Sequence, residues 1–112
     1  MPQCRLVALT TPIPGREEEY HDWYNNVHIP ELVNMFNMDG AQRFELVAKL
    51  MGEDTNQYLA IYEFEADDPA AMLAKMGEAA QAGKMTQSDA QDMSKTYTAL
   101  FQDIGPRTTP TK

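Results

Sequence analysis

Glu17–Leu32 reads E-E-E-Y-H-D-W-Y-N-N-V-H-I-P-E-L, and after a short spacer Asp39–Phe44 reads D-G-A-Q-R-F. Tyr20, Trp23, Tyr24 and Val27 recur at the three-and-four spacing of a buried helix face. Glu17, Glu18 and Glu19 sit where the positive end of that helix would be. The spacing predicts a helix from about Arg16 to Val27. Pro30 lacks an N–H and disfavours helical backbone at Ile29, so a break is expected near His28. Proline also suits a first helical turn, so Pro30 can equally open a second short helix through Phe36. Asp39-Gly40 signals a turn, and Ala41–Leu50 follows as a strand. The same stretch gathers the only tryptophan, both histidines and two of five tyrosines onto about three turns. Rings set beside an imidazole, ahead of a proline, suit a pocket wall better than an ordinary surface helix.

Working outward, Cys4–Thr11 is short, partly β-branched and mostly apolar, and reads as a strand ended by Pro12 and Pro14. Gly52–Asn56 makes a polar hairpin loop, and Gln57–Glu65 is the third strand. Asp68 caps a helix that Pro69 opens. That helix is expected to bury Met72, Leu73, Met76 and Ala80 and to stop at Gly83. Thr86–Met93 reads as a further short helix and Thr96–Ile104 as the last strand. The order is βαββαβ: an α+β, ferredoxin-like arrangement of a four-stranded antiparallel sheet with both helices on one face. One domain over residues 1–105 and a mobile tail over 106–112 are expected. Leu6 and Ala8 alternate with Val7 and Leu9, and Tyr58, Ala60 and Tyr62 alternate with Leu59 and Ile61, so both strand faces are largely apolar. A lone two-layer domain would wet one of those faces. A second copy covering it, a homodimer, is the simplest resolution.

Composition narrows the partners. With 112 residues and a formal net charge of −8, the chain offers phosphate backbones and anionic membranes no basic patch. No apolar run is long enough for a transmembrane helix. The start Met1-Pro2-Gln3-Cys4-Arg5 has no signal-peptide character, and a lone Cys4 forms no internal disulfide; both fit a microbial cytoplasm. Glycine-rich phosphate loops, nucleotide fingerprints and serine elbows are absent, and no cofactor is expected. His21 and His28 lie seven residues apart, which is not the spacing by which a helix presents two metal ligands.

With the topology in hand, W-Y-N-N-V-H-I-P-E-L followed by Arg43-Phe44 resembles the EthD-like branch of the dimeric α+β barrel superfamily. The matching positions are Trp23, Tyr24, His28, Pro30, Leu32, Arg43 and Phe44. Asn37-Met38-Asp39-Gly40 departs from the Pro-Gly-Phe turn common in relatives. The resemblance implies a homodimer whose sheets form a barrel, with a ligand cavity in each subunit between sheet and helices. Superfamily members include cyclases, isomerases, cofactor-free monooxygenases and haem proteins, so fold locates the site better than it names the reaction.

His28 is the leading catalytic candidate, since an imidazole titrates near neutrality and can accept or donate a proton. Its blander role is to buttress the helix end. Tyr24, four residues earlier, would orient a substrate or stabilise an enolate-like oxygen, and Trp23 would stack on an aromatic ligand or simply fill core. Arg43 could anchor an anionic group, or pair with Glu45 or Glu63. Tyr58, Tyr62 and Tyr97 are further substrate-binding candidates whose facing, cavity or dimer barrel, is open. Cys4 reads as a small apolar residue and the methionines as core filler. The expected activity is cofactor-independent lyase, isomerase, dehydratase or cyclase chemistry on a small aromatic or polyketide-like metabolite. A non-catalytic binding or accessory protein, or a haem-binding protein, is the alternative.

Overall fold

The computed structural model describes residues 2–111. Strand β1 (Gln3–Thr10) follows the period of two read from its sequence: Cys4, Leu6, Ala8 and Thr10 are buried on one face. It pairs with β3 (Tyr58–Glu65) on one side and β4 (Tyr97–Gln102) on the other, while β2 (Gly40–Glu45) pairs with the far edge of β3. The order is β2-β3-β1-β4 with every neighbour antiparallel. This is the expected ferredoxin-like sheet. Tyr62 and Phe64 on β3 join the buried face, and helices cover it.

The expected break at His28 does not occur. One unbroken rod runs through α1 (Glu17–Trp23), a five-residue π-helical turn (Tyr24–His28) and α2 (Ile29–Met35). The Ile29 N–H reaches the Tyr24 carbonyl, five residues back, and Ile29 keeps helical dihedrals (φ −64, ψ −50) although a proline follows it. The widened turn shifts the hydrogen-bond register just before Pro30, so its missing N–H falls in the first turn of α2. The rod ends at Asn37 (φ 50), a left-handed residue of the kind asparagine tolerates.

Helix α3 (Pro69–Gln81) starts as read, with the Asp68 carboxylate accepting from the Ala71 N–H at 3.1 Å. Gly83 (φ 72) ends it, next to a Lys84 N–H that returns to the Ala79 carbonyl at 3.0 Å. Its burial departs from expectation. Met76 and Ala79 are buried, whereas Leu73 is 43% exposed and Ala80 is exposed. The helix stands off the sheet over a hollow.

Two further expectations need correction. β2 stops at Glu45 rather than Leu50: β3 begins at Tyr58, and beyond the Glu45–Tyr58 pair one last backbone bond, Leu46 N–H to the Gln57 carbonyl at 2.7 Å, ends the pairing. Val47, Leu50 and Met51 are consequently left almost fully exposed. Residues 86–92 form no helix. Thr86 gives its N–H and hydroxyl to Glu31 (2.5 and 2.8 Å) instead of capping a turn of its own. The segment is also tied to the Thr11–Ile13 loop, through Ile13 N–H to Ala90 (2.6 Å) and Asp92 N–H to Thr11 (2.8 Å). It is a strap across the end of the helical layer, followed by a 3₁₀ turn (Met93–Lys95).

On the other side of the sheet Val7, Leu9, Leu59, Ile61, Ala99, Tyr97 and Phe101 form a mainly apolar surface, with an Arg5–Glu63 ion pair at 3.4 Å. Residues 103–111 are exposed and carry no regular structure. Among the described residues, no helix is long and apolar enough to cross a membrane.

Candidate functional site

The hollow beneath α3 is a cavity of about 440 Å³. The sheet contributes Leu6, Ala8, Thr10, Tyr62 and Thr98; the rod contributes Trp23, Tyr24, His28 and Leu32. Leu73, Met76, Gly77 and Ala80 face it from one stripe of α3, and the strap and 3₁₀ turn close the rest through Met85, Gln87, Ser88, Gln91, Met93 and Thr96. A mainly apolar concavity of this size with a few polar groups is what small-molecule sites look like. A second concavity of about 450 Å³ lies against Leu9, Phe44, Leu46, Met51 and Leu59. It belongs to the outer sheet face and its exposed loop, with Tyr58 at its edge, and shares no lining residue with the His28 cavity.

His28 is half-buried and held by rings. Its imidazole stacks on Trp23 with centroids 4.5 Å apart and planes at 24°, and meets Tyr24 edge-on at 5.0 Å. The Trp23 indole N–H is fixed by the Thr86 carbonyl at 3.1 Å, so the strap holds the stacking partner in place. Burial makes the imidazolium unfavourable and brings the His28 pKa down to about 4, with the Glu31 charge opposing weakly. The ring is therefore neutral at pH 7. Its Nδ1 is sealed from water with no hydrogen-bond partner, leaving Nε2 as the accessible nitrogen. An orphaned buried N–H is rarer than an orphaned acceptor, so the proton belongs on Nε2.

Tyr62, only 1% exposed, buries its hydroxyl beside the Tyr24 phenol, close enough for each to shift the other's titration but with no partner in good hydrogen-bond geometry. Burial, with Tyr24 beside it, pushes its pKa far above the ordinary tyrosine value. Tyr24 is raised as well, again chiefly by burial, so both phenols stay protonated. Replacing Tyr62 by Phe is expected to leave stability unchanged or to raise it by up to about 1 kcal/mol, since only an unsatisfied group is removed. Urea unfolding would measure this; a loss larger than about 1 kcal/mol would mean the hydroxyl has a partner after all.

Three of the residues read as substrate-binding do not reach the cavity. Arg43 does share the helix-side face of β2, but it lies behind the tyrosines. Its guanidinium sits over the rings of Tyr24 (4.5 Å), Tyr20 (5.3 Å) and Tyr58 (5.6 Å), and bonds Asn25 Oδ1 (2.9 Å) and His21 Nδ1 (3.1 Å). Neither Glu45 nor Glu63 pairs with it; Glu63 is taken by Arg5. Tyr58 belongs to this same cluster, edge-on to His21 at 4.7 Å. Tyr97 points to the outer face, where it is 52% exposed, because its partner across β1 is Leu9 rather than Ala8. Trp23, Tyr24, His28 and Tyr62 do converge on the cavity. Cys4 is wholly buried in the core, its thiol pKa raised by burial, as befits a packing residue.

The strap residues and Gly77 escaped the sequence reading. Gly77 interrupts a helix of good formers, and a Cβ built there meets no atom within 4 Å. Glycine inside a helix costs about 1 kcal/mol relative to alanine, which was the available signal.

No family model matches the chain, and no curated protein does. Among solved structures it is similar to an ethyl tert-butyl ether d (EthD) family protein from Bacillus halodurans, at 18% identity and a TM-score of 0.62. The match covers 91% of this chain and 99% of that one. It establishes that this chain has the α+β fold of an EthD family protein, the fold that the motif resemblance implied.

Proposed function

We propose that this protein is a cofactor-independent enzyme of lyase, isomerase, dehydratase or cyclase type. Its substrate is a small aromatic or polyketide-like metabolite held in the cavity between sheet and helices. His28 engages the reacting oxygen in proton transfer, and Tyr24 orients the substrate or stabilises an enolate-like oxygen. The observation that carries this reading is a desolvated imidazole with one accessible nitrogen on the wall of an apolar, ligand-sized hollow. A general acid/base positioned in this way contributes about a hundredfold or more.

A binding or accessory role is the second reading. It is favoured by the bare Nδ1, because general bases normally carry an orienting acceptor on that side. Haem ranks below both, since among the described residues no Lys or Arg lines the cavity to meet its propionates.

Both leading readings need the hollow occupied. At Gly77, where an added Cβ meets no atom within 4 Å, Gly77→Phe should project a ring into the hollow from the α3 side and lower ligand binding and turnover at least about tenfold, with the fold retained. Binding and turnover unchanged in that variant would place the site elsewhere.

The apolar outer face supports a homodimer in which a second copy covers the sheet. Ile61→Lys, at the centre of that face, should convert a dimer into a monomer in light scattering at micromolar concentration. A wild-type chain that is already monomeric would refute the dimer.

A further inference from the structure

We infer that the ligand of this cavity is an uncharged, flat molecule bearing an acceptor oxygen, a carbonyl or ether, that takes a hydrogen bond from His28 Nε2. This deepens the proposed function and rests on its placing the ligand here. Among the described residues the lining contains no Asp, Glu, Lys or Arg. A charge carried into an apolar hollow loses its hydration and must find a counter-charge or several hydrogen bonds. Arg43, the one cation stacked on the aromatic cluster among the described residues, does not supply it: the rings of Tyr20 and Tyr24 stand under the guanidinium, which bonds His21 and Asn25. The chain's net charge of −8 further disfavours anions. Flatness follows from the walls, where the Trp23–His28 stack presents a planar surface and Tyr24 an edge. The acceptor requirement follows from the sealed, partnerless Nδ1, which leaves the ring proton on the accessible nitrogen.

Equilibrium dialysis with three probes of one shape tests the inference: 2-acetylnaphthalene, 2-naphthoate and 2-ethylnaphthalene. At pH 7 the ketone should bind at least about tenfold tighter than the carboxylate and several-fold tighter than the hydrocarbon. His28→Leu should erase the preference for ketone over hydrocarbon while retaining the hydrocarbon. Arg43→Met should leave the ranking intact. Naphthoate binding as tightly as the ketone, a ketone preference that survives His28→Leu, or a ranking altered by Arg43→Met would each overturn the inference. Binding of all three without preference, abolished by Gly77→Phe, would sink the charge and acceptor argument alone and leave the site standing. If none bound, and Gly77→Phe left turnover of the cognate substrate untouched, the site and the inference would fall together.

Discussion

Replacing His28 by glutamine is expected to lower turnover of the cognate substrate by about a hundredfold or more while the chain stays folded. The accessible Nε2 is the one imidazole nitrogen a ligand can meet, and it lies in a desolvated hollow where a donated hydrogen bond is worth more than in water. If the reacting oxygen takes up a proton, an amide that can donate a hydrogen bond but cannot transfer the proton costs the transition state more than the bound substrate, so the loss should fall on kcat. Glutamine keeps a polar amide of similar reach and so avoids opening a large void beside Trp23. Turnover within about threefold of wild type would eliminate the acid/base role and favour the binding reading. A loss confined to KM would reduce His28 to a ligand-holding contact.

The second large effect is on stability. The folded chain holds the His28 pKa down at about 4, below the ordinary histidine value of 6.5. Between those values the unfolded chain binds a proton that the folded chain refuses. Stability is therefore fully present above about pH 6.5 and is lost as pH falls toward 4. A depression of this size corresponds to about 3 kcal/mol. His28→Leu cannot titrate, so it should lose about that much less stability than wild type between neutral pH and pH 4. Urea midpoints for both proteins across that range give the answer. His21 is shifted downward too, by burial and then by Arg43, but it is common to both proteins and cancels in the comparison. Equal acid losses would show that the His28 ring is not desolvated in the folded state.

The local reading succeeded where neighbours in sequence decide the outcome. Period-two alternation located β1 and β3, though not which of their two apolar faces is buried and carries Tyr62, and the Asp68-Pro69 pair located the start of α3. Trp23, Tyr24 and His28 were legible as one wall because they lie within two turns of a single rod. It failed where the outcome depends on what distant segments supply. Leu46–Leu50 has strand-like residues but no strand opposite. Thr86 has a capping residue's chemistry, yet Glu31, far away in sequence, claims it.

Sequence by itself determined the βαββαβ order, the aromatic-imidazole face of the first helical rod and the apolar character of both sheet faces. These follow from side-chain periodicity and backbone preferences, which act over a few residues. Tertiary structure alone decided that Pro30 is absorbed by a π turn and that α3 stands off the sheet to leave a hollow. It alone turned Arg43 away from that hollow to the far side of Tyr24. Each of these is settled by competition among contacts distant in sequence, and the winner depends on which groups the finished packing brings within a few ångströms.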